Sequence, residues 1–137
     1  MNVDRCKSIE QLEQDFWYEP GHDSFILKTC HNLRKKPLEN FTAEDLRLMI
    51  GQNIGLHFLI PIALELLNKN ILTEGDYFPG DLLESLLRAD EKYWEESKPV
   101  WDILKGLIKQ NNSILEADNS FKQILKRVEK FQAIHKS

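Results

Sequence analysis

The chain predicts an all-α fold: a bundle of about six or seven helices around a central apolar helix at residues 55–69. Three observations carry this. Apolar residues recur at helical spacing along most of the chain. Two of the apolar runs are preceded by a Ser or Thr with a polar side chain three residues later, the pattern of a capping box. No stretch reads as a strand. At 137 residues, one domain spanning 1–137 is expected. A domain of that size buries roughly 68–70% of the surface of its unfolded chain, so it needs neither disulfide nor metal to fold.

The elements follow in order. Ser8 with Gln11 opens the first helix, Ile9, Leu12 and Phe16 fall on one face, and Pro20-Gly21 is expected to stop it. Asp23 or Ser24 caps a second helix with an apolar stripe of Ile26, Cys30 and Leu33, and His31 on its flank. Arg34, Lys35 and Lys36 suit the negative end of its dipole, and Pro37 ends it. Thr42 with Asp45 opens a third, carrying Leu46, Met49 and Ile50, and Gly51 and Gly55 permit a break. The run "GLHFLIPIALELLNKN" is apolar nearly all round, as a helix in the middle of a bundle is. Pro61 lacks an amide donor and fits a first turn or a kink. Asp81 is the expected cap of "GDLLESLLRAD", with Glu84 three residues on. "KYWEES" follows. Ser97, with Pro99 in the first turn, starts a helix expected to run through "KPVWDILKGLIKQNNSILE" and buries Trp101, Leu104 and Ile108. From about Ser120, the stripe Phe121, Ile124, Leu125, Val128 and Phe131 marks the last helix.

Net charge is −4, which disfavours direct nucleic-acid binding, since that rests on neutralising phosphates with Lys and Arg. The C-terminal helix is locally basic, with Lys122, Lys126, Arg127, Lys130 and Lys136 against Glu129, and reads as a solvated face. The N-terminal residues have no apolar signal core, and the longest apolar region, 54–67, is too short to span a membrane. A cytoplasmic protein with Cys6 and Cys30 reduced is expected, and no membrane partner.

Candidate chemistry is sparse. His22, His31, His57 and His135 form no HxxxH pair and the cysteines no CxxC, so no metal is expected. Cys30 and His31 are adjacent on a helix, about 100° apart, and cannot meet as nucleophile and base. Phosphate-loop, dinucleotide and nucleophile-elbow motifs are missing, so no cofactor or catalytic residue is assigned. Arg47, Gln52 and Asn53 flank apolar positions and are expected to satisfy internal hydrogen bonds where buried.

The stretch "EGDYFPGD" concentrates three carboxylates, two glycines and two aromatics, and lacks the ligand order of a calcium-binding EF-hand loop. From Glu74 to Glu96 there are eight acids against Arg88 and Lys92. Acids interleaved with aromatics suit a basic protein partner, charge steering the encounter and aromatics anchoring it. The candidate binding residues are therefore Glu74, Asp76, Tyr77, Phe78, Glu84, Asp90, Glu91, Tyr93, Trp94 and Glu95. The competing reading turns the aromatics into the core and leaves the acids as a solvated rim. A small enzyme or ligand-binding module using the Glu74–Asp81 carboxylates or His57 is the alternative function. Self-association through Trp94 and Trp101 is a third.

The strings "EDLRLMIGQNIGLHFLIP" and "EGDYFPGDLL", with "WYEP" and "TCHNLRKKPL" upstream, resemble the immunity proteins of bacterial contact-dependent growth inhibition (CDI) systems, over roughly residues 17–87. The resemblance implies a cytoplasmic, non-enzymatic protein that binds the C-terminal toxin domain delivered by a neighbouring cell. Such toxins are often nucleases with basic surfaces, which would give the acidic balance a purpose. It also implies that the family strings are framework, with toxin specificity in stretches such as 90–97 or the C-terminal helices.

Overall fold

The computed structural model describes residues 3–17 and 24–134. Nine α-helices and no strand occur among them: α1 (Ile9–Glu13), α2 (Phe25–Leu33), α3 (Ala43–Gly51), α4 (Leu56–Lys69), α5 (Asp81–Leu87), α6 (Glu91–Glu96), α7 (Lys98–Gln110), α8 (Asn112–Glu116) and α9 (Lys122–Ile134). The all-α class is as the sequence predicts. The larger number of helices comes from short segments at α6 and α8. The expected helix over 98–116 breaks at Asn111, whose side-chain amide turns back to the Leu107 carbonyl at 2.8 Å.

Both capping boxes form. Ser8 Oγ accepts from Gln11 N while Gln11 Oε1 accepts from Ser8 N, and Thr42 and Asp45 repeat the exchange. Ser24 caps α2, while Asp23 lies outside the described residues. The first helix is shorter than expected: it ends at Glu13, where Gln14 takes a left-handed conformation, and Phe16 beyond it is exposed. Pro20 and Gly21 lie outside the described residues.

On α2 the stripe is only partly as expected. Cys30 and Leu33 are buried, but Ile26, in the first turn, is exposed among the described residues. His31, expected on the flank, is buried. Arg34 is not a solvated cation at the helix end. It is 2% exposed, with Nη1 2.6 Å from Glu13 Oε1, its other amino group donating to the Asp15 carbonyl, and the Trp17 ring 4.2 Å from its guanidinium carbon. A buried guanidinium needs such partners, because an unpaired charge is costly away from water. Here they tie the end of α2 to the segment after α1.

The core lies where α4 meets α3, α5 and α7. Leu59, Ile60, Ala63, Leu64 and Leu67 of α4 are buried, while His57 and Glu65 leave one edge to solvent. Glu65 pairs there with Arg5, at 2.9 Å for Nη1. Pro61 was expected in a first turn or at a kink, and it lies inside α4, in the second turn. On the other side of α5, Ile124, Val128 and Phe131 of α9 close the core. Trp94 and Trp101 are both core residues, each ring packed edge-on against Phe131, so neither is available to drive self-association.

The thiols inherit opposite environments. Cys30 is buried, and burial pushes its pKa up. Cys6 is exposed, but the Glu39 carboxylate 3.7 Å away and then Asp4 disfavour its thiolate. Because the thiolate is the reactive form, an aromatic disulfide reagent at mildly alkaline pH is expected to modify one thiol in the native protein, more slowly than free cysteine. The second should react only after denaturation. Two rapid equivalents in the native protein would contradict this packing.

Candidate partner-binding loop

The loop between α4 and α5 carries the acids and aromatics that the sequence singles out. Its geometry is set by Asp81. Asp81 was expected to cap α5, but Gly80 occupies that position with φ +90°, and Asp81 is the first helical residue, buried, with its side chain turned back into the loop. One carboxylate oxygen accepts from Gly75 N at 2.6 Å. The other accepts from Tyr77 N at 3.1 Å and Phe78 N at 3.4 Å. Glycine at 80 is required twice over: its φ is one that side chains rarely adopt, and a Cβ would lie 2.5 Å from Ile124 Cδ1.

A second acid reaches the loop from α3. Glu44 accepts from Asp76 N at 2.9 Å and holds Arg47 through two 2.6 Å hydrogen bonds. These contacts, the Arg47 hydrogen bond foremost, lower the Glu44 pKa against the opposing effect of its partial burial. Arg47 in turn lies 3.9 Å from Asp81 Oδ2, and its guanidinium carbon is 4.5 Å from the centre of the Tyr77 ring. Five of the six backbone amides from Gly75 to Phe78 and Gly80 to Asp81 thus have acceptors in Asp81, Glu44 or the Leu72 carbonyl, with Asp81 N bonded to the Phe78 carbonyl as the sixth. The loop is pinned from beneath, with its side chains left outward: Tyr77 is 70% exposed and Phe78 40%, and Glu74 and Asp76 are exposed beside them.

The ten candidate residues do not form one site. Tyr77, Phe78 and Glu84 border a cleft between α3 and α5, with Glu84 paired to Arg88 at 3.7 Å. Asp90 caps α6, accepting from Lys92 N at 3.1 Å, while its own amide donates to Asn53 Oδ1 at 2.9 Å. Asp90 and Tyr93 border a second cleft, beside His57. Glu91 borders a third, against α9. Glu95 is exposed. Tyr93 and Trp94 are only 6% and 1% exposed, so the structure gives them to the core, and a docking partner cannot reach them in this state.

The carboxylates of the loop do not converge on a reaction centre. Asp81 is occupied by three backbone amides, and Glu74 and Asp76 face solvent. His57 lies in a different cleft, its ring 5.4 Å from that of Tyr93. Among the described residues no group of three or more His, Cys, Asp or Glu could hold a metal ion, and no helix is long and apolar enough to cross a membrane. What the residue reading missed was Glu44. Its sequence signal is only that of an acid in a helix's first turn, which the helix dipole explains equally well.

The structure is thus an all-α bundle whose acid-and-aromatic loop is pinned from beneath and exposed above. Residues 11–104 match the family model of CDI immunity proteins, and the chain belongs to that family. The match extends beyond the 17–87 expected from the sequence strings and takes in all ten candidate residues, while the end of α7 and all of α8 and α9 fall outside it. No curated protein and no solved structure matches the chain.

Proposed function

We propose that this chain protects its cell by binding a cognate CDI toxin domain directly and without catalysis, and that the outward face of the Glu74–Phe78 loop is a contact surface. The observation that carries this is the pairing of two exposed aromatics with a backbone already held by Asp81 and Glu44. Exposed aromatic side chains anchor interfaces, and a preorganised loop avoids the entropy of ordering on binding. Glu74, Asp76, Glu84 and, further along, Asp90, Glu91 and Glu95 supply an acidic field that speeds encounter with a basic partner. The toxin this suits is basic, as a nuclease acting on polyphosphate substrates is, and the place of action is the cytoplasm.

Co-expression tests the reading. The chain should rescue growth of cells that produce the toxin domain encoded beside its gene. The Tyr77→Ala, Phe78→Ala double variant should weaken toxin binding by about 100-fold or more, as loss of two anchoring aromatics does, with a fall in melting temperature of only about 5 °C. Undiminished killing in the presence of the wild-type chain would sink the immunity reading. Undiminished affinity of the folded double variant would move the contact surface elsewhere.

A further inference from the structure

Behind the acidic stretch, where the end of α5 and the start of α6 pass α9, lies a cleft of 190 Å³ whose charge is opposite to that of the protein as a whole. Arg88, Arg127 and Lys130 border it, with Glu91 as the one carboxylate, over a floor that includes Leu87 and Phe131. Arg127 and Lys130 stand one turn apart on α9, and Arg88 is the C-terminal cap of α5. The packing of Ile124, Val128 and Phe131 against α5 therefore brings the helices that carry the three cations to one cleft. Neither Arg127 nor Lys130 has an ion pair among the described residues, and Glu91 pairs with neither. Among the described residues Arg88 pairs with Glu84, at 3.7 Å.

Three cations gathered on one concave surface repel each other, and a buried apolar floor screens them less than open water does. Glu91 and the Glu84 partner of Arg88 offset part of that repulsion, and a bound anion would offset the rest. We propose that this cleft binds a phosphate group. Its volume holds several waters at about 30 Å³ each, and so admits a tetrahedral oxyanion. Two guanidinium groups and an ammonium, carried by the end of α5 and by α9, border the cleft, and such donors suit an anion with three acceptor oxygens and nearly two negative charges. A planar carboxylate monoanion would engage one fork and leave the other cations uncompensated. The cleft shares Arg88 with the one beside Tyr77 and Phe78, whereas Arg127 and Lys130 stand apart from it and lie beyond the residues matched to the family.

The test is a titration of the full chain with inorganic phosphate at constant ionic strength, balanced with chloride. It is read by ¹⁵N NMR of the arginine side chains and of the α5 and α9 amides, with thermal unfolding alongside. Saturable shifts confined to the cleft and a rise in melting temperature over chloride are expected. Arg127→Ala with Lys130→Ala should weaken the apparent affinity at least tenfold. Lys122→Ala with Lys126→Ala, which removes the same charge from exposed positions of α9 outside the cleft, should leave it unchanged. No effect beyond chloride, equal losses in both double variants, or acetate binding as tightly as phosphate would each overturn the proposal. A nucleoside monophosphate in a parallel titration separates the two sources: tighter binding than inorganic phosphate assigns the cleft to a nucleotide, and equal or weaker binding assigns it to the free ion.

Discussion

Asp81→Ala is expected to lower the unfolding free energy by about 3 kcal/mol and to weaken toxin binding, although Asp81 itself is buried and touches no partner. The stability loss follows from what the carboxylate holds. Gly75, Tyr77 and Phe78 donate to it, and Arg47 lies 3.9 Å away, so its removal strands several donors at once. Each unmet donor costs about 1–3 kcal/mol when it stays buried and less when water can reach it, as it can at the rim of this loop. The binding loss has a different origin. With the backbone of 75–78 released, a partner must order it again, at roughly 1–2 kcal/mol per residue. Glu44 still holds Asp76 N, so the order lost is that of about two residues, and a loss in affinity of about 100-fold is expected with Tyr77 and Phe78 still present. Asp81→Asn should recover only part of either quantity. Both carboxylate oxygens accept hydrogen bonds, and an amide offers one acceptor while turning an NH₂ toward amide donors. Denaturant unfolding and calorimetric titration of toxin against the same two variants check this. Wild-type affinity in a folded Asp81→Ala protein would mean that the loop plays no part in recognition.

The same residue shows where sequence reasoning reached and where it stopped. Ser8 with Gln11, and Thr42 with Asp45, were legible because cap and partner are three residues apart and nothing distant competes for them. Asp81 looked equally local, an Asp ahead of an apolar run. The positive φ of Gly80 moved the cap by one residue, and the Asp turned instead to amides behind it. The contact that completes the arrangement, Glu44 to Asp76 N, spans 32 residues and leaves no trace in spacing. Phe16 and Ile26 failed differently. Ile26 keeps its helical spacing and Phe16 falls past the end of α1, but periodicity names a face without saying whether anything packs against it. Arg34 is the converse: a cation that the helix-end rule places in solvent, drawn inside by Glu13 and the Asp15 carbonyl.

The aromatics of the acidic stretch were not separable by composition, and they carry the second large effect. Tyr77-Phe78 and Tyr93-Trp94 are each an adjacent pair among carboxylates. The first pair lies on a loop with no helix face to turn inward. The second lies on α6, where the chain of rings runs from His57 through Tyr93 and Trp94 to Phe131 and Trp101, with centroids 4.6–5.4 Å apart and every contact edge-on. Edge-on aromatic pairs add about 0.5–1.5 kcal/mol beyond the area they bury. Trp94→Ala removes two such contacts and opens a cavity at the junction of α6, α7 and α9, so a loss of about 3–5 kcal/mol is expected, at the upper end of core truncations. For a chain of this length that is roughly a 10–15 °C fall in melting temperature. Tyr77→Ala removes only an exposed ring and its cation–π contact with Arg47, at a cost of about 0.5–1 kcal/mol. The toxin affinities should run in the opposite order. Trp94→Ala, assayed well below its melting temperature, should bind nearly as the wild type does, and Tyr77→Ala should not. Loss of affinity in a folded Trp94→Ala protein would show that α6 reports to the interface through the core, and that the exposed loop is not the whole of the recognition surface.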